Sequence, residues 1–344
     1  MTFEEINIKF GIEPKIIYSL CLLKDKKLAI GSHYILILNP EFSKILITIE
    51  NKDNHPVYQI IQSKKGYLIS AEEYLIKVYS IFDNYYNLIS IYNNANKQEI
   101  YKDRIYKIRE LINGNIAYSL KYSKFLLFHS LNFKKISIKC ELRNKEIINF
   151  IEMNKNTLIL LCAKIHDKGV YFSQYEGYLY EYRLCYFYIK TLAKKKESSF
   201  LWELEDKISI KTEKNINSFV TRETMKIIEK NYLLIVIGDY LYIYHFDEHA
   251  NFELFTYLQF YMNFIQCLCP FTKDILALGT WSGKIIFIKI QDLLAKSKKT
   301  EQRLYLGYQK IRNLIQVKDG IMICIKDDDK RRISKNSLIK YILN

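Results

Sequence analysis

The one local arrangement with the residue types of a metal centre is "HFDEHA", where His245 and His249 bracket Asp247 and Glu248. A metal there needs both imidazoles and a carboxylate to converge, which a turn permits. A solvated turn after the apolar run "YLYIYHF" explains the same residues and is preferred. Cys267 and Cys269 in "QCLCP" share one face if the run is a strand, but no His or second Cys pair stands at finger-like spacing, so two core thiols are expected. Asp327, Asp328 and Asp329 in "KDDDKRR" are read as an acidic turn balanced by flanking Lys and Arg. The chain contains no GxGxxG, P-loop, GxSxG or HExxH pattern. The expectation is therefore a protein with no catalytic residues, no metal, no cofactor and no small-molecule substrate.

Surface chemistry offers more. Basic clusters occur at Lys194, Lys195 and Lys196 in "AKKKESS", at Lys296, Lys298 and Lys299 in "AKSKK", and at Arg331 and Arg332 in "KRRISK". In loops or on a rim such groups can meet phosphate. Trp202 in "SFLWELED" is a candidate interface anchor, since exposed Trp and Tyr carry much binding energy. Tyr178, Tyr180 and Tyr182 alternate with Leu179, Glu181 and Arg183, which makes one strand face aromatic. Nucleic-acid readers stack bases on such stripes; packing between neighbouring sheets is the preferred reading.

The frame for these groups is visible in a recurring unit. In "DILALGTWSGKIIFIKI" (274–290) a strand ends on a small residue, a tight turn follows, and a second strand begins. The same design recurs six more times, and the small residues fall at Gly31, Ala71, Ser119, Ala163, Gly238, Gly279 and Cys324. Their intervals are 40, 48, 44, 75, 41 and 45 residues. Five of the six lie near the ~40–45 residues of a four-stranded propeller blade. The interval of 75 predicts an insertion at about 185–222.

A β-like run precedes most copies, such as "IIYSLCLL" and "IRNLIQV", and a fourth run follows several, such as "NLISIYN". Helical spacing is confined to "IQDLLAKSKK" (290–299) and "VTRETMKIIEK" (220–230). The last copy lacks an outer strand, and "INIKF" (6–10) is placed to supply it, so pairing of the N- and C-terminal strands is expected to close a ring. The predicted architecture is all-β: a single β-propeller over 1–344, of seven four-stranded blades, with six or eight as the alternative counts.

The repeat resembles the WD40 type of β-propeller, best in "EEYLIKVYS" (72–80), with Glu73 at the acidic turn position and Tyr79 where that family has Trp. In "SGKIIFIKI" the Gly is kept at Gly283 and the acid is lost. Neither the Gly-His pair at its expected place nor any Trp-Asp dipeptide occurs. The resemblance implies a rigid disc that holds partners on its faces and rim, usually without catalysis.

Composition bounds the partners. The chain of 344 residues carries a formal charge of +15, which suggests a polyanion, yet only 9 of its 52 basic residues are Arg. Lys rises together with Asn, Ile and Tyr, as codon bias in an AT-rich genome would produce. Seven cysteines, mostly inside apolar runs, argue against a disulfide framework and for a reducing compartment. No signal-peptide pattern opens the sequence, and no run approaches the ~18 apolar residues of a membrane helix. The expectation is an intracellular protein, cytoplasmic or nuclear. It is read as a non-catalytic scaffold or adaptor whose partners are other protein subunits of a larger complex. The alternative is a nucleic-acid or ribonucleoprotein binder that uses the Lys-rich loops.

Overall fold

A computed structural model describes residues 3–8, 16–51, 54–82, 85–93, 105–120, 125–130, 138–141, 146–154, 157–172, 175–191, 200–210, 225–229, 231–247, 251–261, 263–295, 301–305, 310–328 and 335–343. β1 (Phe3–Asn7) opens the chain. The first complete sheet holds β2 (Ser19–Leu22), β3 (Leu28–Gly31), β4 (Tyr34–Leu38) and β5 (Ile45–Glu50). The next holds β6 (Gln59–Gln62), β7 (Leu68–Ala71), β8 (Leu75–Ile81) and β9 (Tyr86–Asn93). A third is formed by β10 (Ile105–Glu110), β11 (Asn115–Leu120), β12 (Phe125–Ser130) and β13 (Ile138–Glu141). β14 (Glu146–Asn154), β15 (Thr157–Phe172), β16 (Tyr175–Thr191) and β17 (Phe200–Ile210) make the fourth. The fifth comprises β18 (Met225–Ile228), β19 (Tyr232–Ile237), β20 (Tyr240–Phe246) and β21 (Phe252–Gln259). β22 (Ile265–Pro270), β23 (Ile275–Thr280), β24 (Lys284–Lys289) and β25 (Glu301–Tyr305) make the sixth, with a short helix α1 (Ile290–Leu294) between its last two strands. The seventh joins β26 (Ile311–Lys318), β27 (Ile321–Asp328) and β28 (Lys335–Leu343) to β1. Every pairing is antiparallel between strands consecutive in sequence, except that of β1 with β28.

That last pairing brings together the two ends of the sequence, as expected, but over slightly earlier residues. Phe3 lies opposite Leu343 and Asn7 opposite Ile339, and Ile8 N–H donates to Leu338 O at 2.9 Å. Residues 9 and 10 of the expected strand lie outside the described residues.

Two compact units divide the chain, one of Met1–Ala95 with Phe260–Asn344 and the other of Asn96–Gln259. In the first unit the apolar core lies between consecutive sheets. Leu28, Ile30 and Leu36 of the first sheet pack with Ile323, Ile325 and Leu338 of the seventh. Ala29, Ile35 and Ile37, which point to the opposite face by the period of two, pack with Ile60, Leu68 and Tyr79 of the second. The strands read as continuous Ile/Leu/Val runs for this reason: each sheet is covered on both faces. In the second unit, Ile159 and Leu161 of the fourth sheet likewise pack with Leu233, Ile235 and Tyr242 of the fifth.

The aligned small residues follow from this packing. A Cβ on Gly31 would run into Ser19 Oγ and stand 2.8 Å from Val57 O, and one on Gly279 would stand 2.6 Å from Ile311 Cγ2. The second strand of each of these sheets ends where the next sheet's first strand presses on it, so no larger side chain fits.

One expectation is modified. "IQDLLAKSKK" does begin as a helix, but Met225–Ile228, within the second helical reading, is strand β18. Met225 and Ile228 are spaced as on a helix face, yet both are buried, and the stretch supplies the innermost strand of the fifth sheet, so tertiary packing overrides local spacing. The long fourth repeat spends much of its surplus on strand length: β15 has 16 residues and β16 has 17. Of the stretch 185–222, residues up to 191 and 200–210 are paired strand, while 192–199 and those from 211 lie outside the described residues.

Candidate functional site

Most sequence candidates fall where no side chain is described. Lys194, Lys195 and Lys196, Lys296, Lys298 and Lys299, and Arg331 and Arg332 all lie outside the described residues. Trp202 is in β17, its backbone opposite Ile189, and Tyr178, Tyr180 and Tyr182 are in β16. His245 sits in β20 with its ring edge-to-face against Tyr232 at 5.2 Å, and its neighbour His249 is outside the described residues. Cys267 and Cys269 are both buried in the core between the sixth and seventh sheets. Among the described residues no group of three or more His, Cys, Asp or Glu is placed to hold a metal ion.

Topology selects a different place. In an up-and-down sheet of four strands, the turn between the second and third strands lies at the same end as the connection that leads into the first. The first unit has several such turns described. In the first and sixth sheets the residue after the small residue caps its turn through a side-chain oxygen, as Ser and Thr do in tight turns. Ser32 Oγ accepts from Tyr34 N–H at 3.2 Å, and Thr280 Oγ1 accepts from Lys284 N–H at 2.9 Å. In the second sheet the position is Glu72, whose carboxylate accepts from Lys77 Nζ at 2.8 Å.

At this end of the sixth sheet three aromatic side chains stand in solvent. Tyr261 is 74% exposed, Trp281 50% and Phe264 42%, and Lys310 Nζ sits 3.8 Å from the centre of the Trp281 ring. A cation over an indole face is attracted by the ring quadrupole. The backbone beneath is tightly held. Trp281 N–H donates to Phe264 O at 2.7 Å, Ser282 Oγ donates to Asn263 Oδ1 at 2.9 Å, and Asn263 Nδ2 donates to Tyr261 O at 2.9 Å. Asn263 and Thr280 are buried, and Phe260, next to Tyr261, is fully buried. The aromatic rings thus project from two loops locked together by buried polar groups, with little loop entropy left to lose on binding.

Sequence reading passes over Tyr261, Phe264, Trp281 and Lys310, because "TWSG" reads as an ordinary turn. The available signal was a Trp in a tight turn, where Gly, Asn, Asp and Ser normally dominate. A second apolar surface lies on the outer strand of the second sheet, where Tyr86, Leu88 and Ile91 are exposed and Phe82 stacks on Tyr85 at 4.4 Å.

No family model matches the sequence, and no curated protein matches it. Solved structures do. The β-propeller domain of Cps50 (Swd1) from Myceliophteria thermophila aligns over 98% of this chain and 99% of its own, with a TM-score of 0.64 at 11% identity. A streptogramin B lyase aligns over 99% and 98%, with a TM-score of 0.67 at 12% identity. BamB from Moraxella catarrhalis aligns over 96% and 84%, with a TM-score of 0.56 at 9% identity. Full-length agreement at such low identity concerns the chain path alone, and the fold is that of a β-propeller.

Proposed function

We propose that this protein is a non-catalytic scaffold that holds other proteins within a larger intracellular assembly. The observation that carries the reading is the cluster of Tyr261, Phe264 and Trp281, exposed on loops braced by the buried Asn263 and Thr280. Exposed aromatic residues on a preorganised frame are what protein interfaces use as anchors. The fold leaves the matter open, since a lyase shares it, so function is argued from this surface. Five described cysteines are free thiols, which favours a reducing compartment.

The charge of +15 favours a second reading, a nucleic-acid or ribonucleoprotein binder that uses Lys-rich loops such as Lys194 to Lys196. A tagged pull-down from the native cell, with and without nuclease and over a salt series, separates the two. Proteins recovered in fixed proportion after nuclease, with little salt dependence, support the scaffold. Recovery that collapses with nuclease and falls steeply with salt supports the second reading.

A further inference from the structure

We propose that β9, the outer strand of the second sheet, is a self-association edge that pairs antiparallel with β9 of a second copy of this chain about a two-fold axis. The inference goes beyond the scaffold reading and does not depend on it. β9 stands last in the order β6-β7-β8-β9, and among the described residues no strand pairs with its outer edge. Natural sheets protect such an edge with charged side chains. The other outer strands follow that rule, with Glu50 in β5, Lys139 in β13, Glu203 in β17, Glu253 in β21, Arg303 in β25 and Glu4 in β1. β9, "YNLISIYN", carries no charge. Residues 84–96 contain no Asp, Glu, Lys, Arg or His, in a chain of which 26% is charged.

The form of the strand adds to its composition. Tyr86 lies opposite Ile81 and Leu88 opposite Tyr79; past an extra residue, Ile89, Ile91 lies opposite Lys77. Directly opposed residues of an antiparallel pair share a face, so the bulge keeps Tyr86, Leu88 and Ile91 together on one side. That side continues the core between the first and second sheets, to which Tyr79 belongs, and the Tyr86 ring stands edge-to-face on Tyr79 at 6.0 Å. At the rim the cover ends: Leu88 is 41% exposed and Ile91 52%.

Charge decides the occupant. A strand bearing charges would bury them against Leu88 and Ile91, whereas a second β9 brings none and offers the same apolar groups in return. A two-fold contact uses the same patch on both copies, so an uncharged apolar strand is complementary to itself. The formal charge of +15 on each copy opposes association, and salt should therefore strengthen it. Association bridged by nucleic acid would weaken with salt instead.

The test is sedimentation velocity of the full chain after nuclease treatment, over a broad range of protein concentration and a salt series. A single monomer–dimer equilibrium that tightens with salt is expected. Leu88→Lys and Ile91→Lys should each weaken the dimer about tenfold or more. Both positions are exposed, so melting temperatures should stay within about 2 °C of the parent. An equimolar mixture of Leu88→Lys and Leu88→Glu should regain the dimer that neither forms alone, because opposite charges then meet across the axis. A monomer at every concentration, a dimer indifferent to both lysine variants, a dimer that weakens with salt, growth beyond the dimer, or no gain in the mixture would each overturn the proposal. If the purified chain is monomeric and the pull-down partners vanish with Leu88→Lys, the edge belongs to a partner's strand and the second copy is excluded.

Discussion

Lys77 and Glu72 form an ion pair of 2.8 Å with both side chains removed from solvent. The pair is not isolated. Asn51, which follows β5 of the first sheet, accepts from Lys77 Nζ at 2.8 Å and donates to Glu72 Oε2 at 3.0 Å, and Ser70 Oγ donates to Glu72 Oε1 at 3.2 Å. Asn51 Nδ2 also donates to His55 O at 2.7 Å. The network joins the first sheet to the second with polar groups other than those the WD40 resemblance led one to look for. Removing one member strands a buried charge. Lys77→Ala is therefore expected to cost about 3 kcal/mol, and Lys77→Met combined with Glu72→Leu to recover most of it. Urea denaturation midpoints report both, with the exposed Lys273→Ala as control. A Lys77→Ala midpoint equal to the control would show that the network contributes nothing.

The close approach at the ends of β3 and β23 gives a second prediction. Gly31→Ala places a methyl against Ser19 Oγ and the Val57 carbonyl, and Gly279→Ala places one 2.6 Å from Ile311 Cγ2 and 2.7 Å from Cys267 Sγ. Overpacking between sheets should destabilise each variant by about 1–3 kcal/mol. Gly31→Ala is expected to be the worse, because a backbone carbonyl yields less than a side chain. Equal stability to the parent in calorimetry would mean that the sheets part more easily than their packing implies.

Burial also sets an alkaline limit on stability. Desolvation pushes the Cys21 thiol up to about 11, against a backbone hydrogen bond that lowers it, and pushes the Tyr244 hydroxyl up to about 12. Both groups are neutral when protonated, and folding favours that form. Their stabilisation is complete below the unfolded values of 9.0 and 10.0 and is lost as pH rises through the folded values. Melting temperature should fall in two steps, from pH 9 to 11 and from pH 10 to 12. Tyr244→Phe should remove the second. A melting profile flat up to pH 12 contradicts both assignments.

What the sequence revealed and what it hid divide along the range of the interactions. Gly31, Ala71 and Gly279 betrayed the repeat because each marks a local event, the end of a second strand, imposed in the same way in several sheets. The strand at 225–228 was hidden because Met225 and Ile228 satisfy a helical spacing as well as a strand, and only the vacancy beside β19 decides between them. The Lys77 network was hidden because its Asn51 arm comes from another sheet. Trp281 lay in plain view, but exposure cannot be read from a residue whose chemistry suits a core equally well. The surface containing it became visible only once Phe264 and Lys310, far apart in sequence, were seen around it.

The stretch 185–222 calls for a finer test than deletion. β17 (Phe200–Ile210) pairs with β16 from Tyr182↔Ile210 to Thr191↔Phe200, so it is the outer strand of the fourth sheet. Deleting 190–222 removes that strand and leaves the edge of β16 open, an invitation to aggregation. The deletion should lower the melting temperature and produce high-mass species in size-exclusion chromatography, and partners lost in this variant say nothing about contact. Lysine, by contrast, is almost never fully buried unless paired. Changing Lys194, Lys195 and Lys196 to Ser should shift the melting temperature by about 2 °C or less. If the pull-down partners vanish in that variant, with its folding intact, these lysines are a contact segment. If they persist there and vanish only with Trp281→Ala, binding belongs to the braced aromatic surface.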